Sequence, residues 1–112
     1  MIDRMNKVID ELAPVLKSLD WSNPKVYAWW LSQAFCIARQ STSFLGLTMI
    51  HSKAYPAFLE RCTDHISEET GHEKLIMNDL KALGIEMLPE LPATSAIYQT
   101  QYYRIRRIHF PT

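Results

Sequence analysis

Apolar residues recur at intervals of three and four along most of the chain and nowhere alternate with polar ones over the length of a strand, so the pattern predicts helices and no sheet. The first helix is expected over 1–19, with Ile2, Met5, Val8, Ile9, Leu12, Leu16 and Leu19 on one side and Pro14 as a point of kinking. Trp21-Ser22-Asn23-Pro24 reads as the next start, a capping residue followed by proline at the first helical position. That second helix is expected to reach about Ile50. Pro56 starts, or sits just inside, a third, for which Gly84 is the expected C-cap. Residues 86–92 form a loop, and Thr94 or Ser95 caps a fourth helix that reaches His109 before Pro111. The class is all-α, a single domain over 1–112.

The second helix is apolar on two sides. At about 100° per residue, Ala28, Leu31, Phe35, Thr42, Gly46 and Met49 share one face. Val26, Trp30, Gln33, Ile37, Gln40, Phe44 and Leu47 share the opposite one. Such a helix is central and contacts others on both faces. Gln33 and Gln40 interrupt the second seam. They are either bonded to each other or to backbone, or they line a polar pocket inside the bundle.

The third helix carries the chemistry. Its apolar stripe is Phe58, Cys62, Ile66, Ile76, Leu80 and Leu83. Taken as one straight helix at ~100° per residue, His65, Glu69 and His72 fall within about 40° of Phe58, inside that stripe, while Glu68 and Glu73 lie at its edges. A buried carboxylate costs several kcal/mol unless it is paired or bound to a cation. Glu69 is therefore expected either to pair with His65 or His72 or to ligate a metal. Glu-x-x-His sets a carboxylate and an imidazole on one face, as in di-iron carboxylate bundles, and such oxygen and nitrogen donors suit iron or manganese. Gly71 is costly inside a helix, ~1 kcal/mol against Ala, and suggests a close approach by a neighbouring helix or a substrate.

Composition narrows the classes. The 112 residues carry 12 basic and 12 acidic side chains, and 47% are hydrophobic. Balanced charge disfavours a dedicated nucleic-acid binder. Arg104, Arg106 and Arg107, near Tyr98, Tyr102 and Tyr103, read as a solvated face. His51 and His109 are isolated cap or surface residues. Cys36 and Cys62 fall in apolar patterns and read as buried free thiols in a reducing compartment. The N-terminus lacks the apolar core of a signal peptide and no run is long enough to span a membrane, so a cytoplasmic location is expected.

The stretch HISEETGHEKLIMNDLKALG, residues 65–84, resembles the signature of haem-oxygenase-like iron-containing redox enzymes, relatives of the thiaminase-II and pyrroloquinoline-quinone biosynthesis protein C folds. LPATSAIYQTQYYRIRRIHFP, residues 91–111, is similar to that family's next segment. The resemblance implies a haem-oxygenase-like helical bundle and a non-haem iron or di-iron site that activates dioxygen to oxidise a small molecule. Glu69 and His72 are the ligands carried over, with His65, Gln33 and Gln40 lining the pocket. Members of the family are roughly twice as long, and their later helices supply further ligands. The resemblance thus implies an N-terminal half, truncated to about four helices, that holds part of a site. A homodimer is expected, since four helices leave an apolar face uncovered and a second copy can replace the missing half. The competing reading is a metal-free helical interaction module that keeps the fold without the chemistry.

Overall fold

The structure, a computed structural model, describes residues 1–107. Within them run six α-helices: α1 (Ile2–Ser18), α2 (Pro24–Ala38), α3 (Ser41–Ile50), α4 (Pro56–Glu69), α5 (His72–Leu83) and α6 (Pro92–Arg107). There is no strand among the described residues, and no helix there is long and apolar enough to cross a membrane.

Several boundaries fall where local chemistry puts them. Pro24 begins α2 and the Asn23 side chain accepts the Lys25 N–H at 3.0 Å, so the cap and the proline act together. Pro56 begins α4. Gly84 ends α5 with φ 70, and the Ile85 N–H returns to the Leu80 carbonyl at 3.2 Å, a left-handed glycine cap.

Two of the four expected helices are each broken once. The second tightens at Arg39 and Gln40, where the Gln40 N–H donates to Ile37, three residues back, at 2.9 Å. The polar run Gln40-Ser41-Thr42-Ser43 has weak helix propensity, because serine and threonine hydroxyls compete for backbone. The third breaks at Thr70, with ψ 119, and Gly71, with φ 88. Gly71 serves the conformation of the turn: a Cβ at that position would meet nothing within 4 Å, so no neighbouring helix makes the expected close approach. The fourth helix starts at Pro92, ahead of the expected Thr94 or Ser95 cap, and both of those residues donate their N–H to the Leu91 carbonyl. Its expected end, at His109 and Pro111, lies outside the described residues.

The α2–α3 pair is central, as its two apolar faces require: α2 packs on α5 and α6, and α3 on α4 and α6. Ala28 and Leu31 of α2 meet Leu80 of α5, with Tyr27, Ile76, Ile85 and Leu88 around them. Burial is incomplete, however, and Trp30 is 50% exposed. Cys36 and Cys62 are buried and unbonded, as expected of them. The first helix is amphipathic and runs through Pro14, but none of its residues is buried. The radius of gyration is 16.7 Å, against ~13 Å for a compact domain of this size.

Candidate functional site

Glu69 is the last residue of α4 and His72 the first of α5, so the break between the helices separates two residues that a straight helix would have stacked. The turn nevertheless keeps them together. Glu69 Oε1 lies 3.2 Å from His65 Nε2 and Glu69 Oε2 lies 3.2 Å from His72 Nδ1. One carboxylate is thus held between two imidazoles, the pairing that its place among apolar residues calls for. The expected depth of burial needs correction. The Glu69 side chain is 26% exposed, His65 41% and His72 49%. The stripe was drawn through a helix that is in fact two, and α5 restarts with its own phase after Gly71. Even in α4, Phe58 lies exposed, and Cys62 is the buried member.

Glu69 and His72 stand at the polar end of an open cleft of about 630 Å³. Its walls are Trp30, Ala34, Ile37 and Ala38 of α2, Leu75 and Ile76 of α5, and Ile97 of α6. Trp30, Gln33 and Ile37 belong to the seam read from the sequence. Leu75 and Ile97 were missed: Leu75 falls off the stripe of an unbroken helix, and Ile97 is an isolated aliphatic residue in a polar stretch. On its other side Glu69 borders a smaller hollow of about 260 Å³ with His65, Ser41, Phe44 and Leu45.

Gln33 lines the cleft, but its amide is committed. Its Nε2 donates to the Pro89 carbonyl at 2.8 Å, and its Oε1 accepts from the Leu91 N–H at 2.9 Å and the Thr94 hydroxyl at 2.7 Å. This is the backbone-bonded role. Gln40 is drawn elsewhere: its Oε1 accepts from the Tyr102 hydroxyl at 2.6 Å, tying the α2–α3 turn to α6. The two glutamines do not bond to each other. Gln40 lies outside the lining of the cleft that Gln33 shares with Glu69 and His72.

Gln33 is one of several side chains, with Ser32 and the C-capping Arg39 of α2 and Tyr98 of α6, that fasten the 85–91 loop. The Ser32 hydroxyl accepts from the Leu88 N–H at 3.0 Å. Arg39 Nη2 lies 3.8 Å from Glu90 Oε1, and the Tyr98 hydroxyl donates to Glu90 Oε2 at 3.1 Å. Burial pushes the Glu90 carboxyl up, but hydrogen bonds from Ser95, Tyr98 and Cys36, with the charge of Arg39, outweigh it and hold the group below its ordinary value. Burial, followed by the hydrogen bond and charge of Glu90, pushes the Cys36 thiol up. That environment keeps the thiol neutral and makes it a poor nucleophile or ligand.

The donor set of His65, Glu69 and His72, two imidazoles and a carboxylate, has the composition of a non-haem iron site. Its arrangement does not close one. Among the described residues no three His, Cys, Asp or Glu side chains are gathered where a metal ion could be held. Glu69 and His72, facing one cleft, fit as two ligands of a site whose other ligands these residues do not supply. No family model, curated protein or solved structure matches the chain.

Proposed function

We propose that the chain supplies part of a non-haem iron site, belonging to a haem-oxygenase-like oxidase that activates dioxygen to oxidise a small molecule. The observation that carries this is the Glu69 carboxylate between His65 and His72, at the head of an apolar cleft, in the sequence context EETGHE. Glu69 and His72 would hold the iron, and His65 and Gln33 would shape its surroundings. Bound iron would supply the redox chemistry toward oxygen, and the apolar walls of the cleft would take an apolar substrate body. A chain that offers so few ligands holds iron weakly and yields it to a chelator.

A second reading is a metal-free helical module, favoured by one observation: each Glu69 oxygen already has an imidazole, so the carboxylate needs no cation. Anaerobic equilibrium dialysis against ferrous iron separates the two. The iron reading expects weak binding that is lost in Glu69→Ala and kept in Glu68→Ala, because the Glu68 side chain points to Arg61, 3.4 Å away, on the exposed side of α4. Absent binding would favour the metal-free module, and binding equal in both variants would remove Glu69 as a ligand.

A further inference from the structure

α1 repeats its apolar residues with heptad spacing. Ile2, Met5, Ile9, Leu12, Leu16 and Leu19 alternate intervals of three and four, and Val8 and Val15 widen the stripe. Its charged residues, three acidic and three basic within Ile2–Ser18, all lie off this stripe. A face three residues wide per heptad suits a groove between two helices better than a two-stranded coil. Yet these eight side chains are each at least 42% exposed. Together they leave a stripe of several hundred Å² of apolar surface, more than monomers ordinarily show.

The same chain presents such a groove. The cleft between α2 on one side and α5 and α6 on the other exposes Trp30, Leu75 and Ile97, at 50%, 61% and 51%. Its own α1 is not free to fill it. The turn after α1 is pinned: Trp21 Nε1 donates to the Leu16 carbonyl at 2.7 Å, and the Asn23 N–H to the Asp20 carbonyl at 3.1 Å. The Trp21 ring meets Trp30 edge-on at 6.1 Å, fixing the exit of α1 at the rim of the cleft. The extended shape, 51 × 32 × 23 Å, fits a helix directed away from the body.

We infer that α1 of a second copy, exchanged reciprocally, lies across the open mouth of the cleft, so that each Glu69–His72 cleft is roofed by the other chain's first helix. Each partner contributes one stripe and one cleft, and the two together are of the order of the ~800 Å² per partner of a specific interface. Equal numbers of acidic and basic residues on α1 disfavour an anionic lipid surface, which selects a lysine and arginine surplus. The exchange does not depend on iron.

Sedimentation velocity on the full chain tests this, with an expected mass at micromolar concentration of twice 13.0 kDa. Ile9→Glu/Leu12→Glu, at exposed positions of α1, and Ile97→Glu, in the cleft, each weaken dimerisation at least ~100-fold, while far-UV circular dichroism shows α2–α6 still folded. A short bis-maleimide then links Leu12→Cys chains to Ile97→Cys chains in a mixture. Overturning results are a wild-type monomer at micromolar concentration, efficient linking among Leu12→Cys chains alone, monomer-mass linking in a Leu12→Cys/Ile97→Cys double variant, or uptake of the wild-type chain by phosphatidylserine vesicles in place of dimerisation.

Discussion

At the scale of single residues, Gly71 and Glu69 are the positions on which the site turns. Gly71 holds φ 88 between two helices, and a side chain there is strained whatever the free space. Gly71→Ala is expected to lower stability by about 1–2 kcal/mol, the cost of left-handed backbone for a residue with a Cβ, read as a lower midpoint in urea at an unchanged slope. Since the turn sets how His72 stands against Glu69 across the helix break, the same variant weakens iron binding. Glu69→Ala is expected to leave stability nearly unchanged, since a partly exposed carboxylate–imidazole contact contributes ~1 kcal/mol or less, while iron binding is lost. The residues themselves were legible. The pairing of Glu69 with His65 and His72 follows from charge among apolar neighbours, and spacings of four and three survive the helix break. The role of Gly71 was not legible, because a glycine inside a periodic pattern reads equally as close packing or as a left-handed turn.

At the scale of elements, the 85–91 loop is held by α2 more than by its own residues. Glu90 contributes to that hold through Arg39 and Tyr98. Its carboxyl is held below the ordinary value, so its contribution is complete above the unfolded-state range, about pH 4.3, and is lost as pH falls through its lower folded value. Hydrogen exchange at the Leu88 and Leu91 amides should therefore lose protection on acidification in the wild-type chain, and Glu90→Gln should flatten that acid limb. Unchanged acid dependence in the variant would remove Glu90 from the clamp. Element starts at Pro24 and Pro56 and the stop at Gly84 were readable, since each has a local chemical cause. The breaks at 39–40 and 70–71 were not, because apolar spacing continues across them and a helical wheel assumes one axis. Gln33 could be assigned only as either bonded or pocket-facing; its partners, Pro89, Leu91 and Thr94, are more than fifty residues away in sequence.

For the whole molecule, the all-helical class and the central place of α2–α3 follow from periodicity, while the exposure of α1 and the openness of the cleft are properties of how the helices assemble. The described residues place a carboxylate and an imidazole at an apolar cleft without gathering a third ligand around a common point. The proposal that Glu69 and His72 supply part of an iron site is the one to test. Anomalous scattering at the iron edge, on crystals grown with ferrous iron and washed in iron-free solution, tests it most directly. The account predicts no strong peak, with Glu69 still paired to His65 and His72. A strong, wash-resistant peak within coordination distance of both Glu69 and His72 would contradict it and show that the chain by itself completes the metal site.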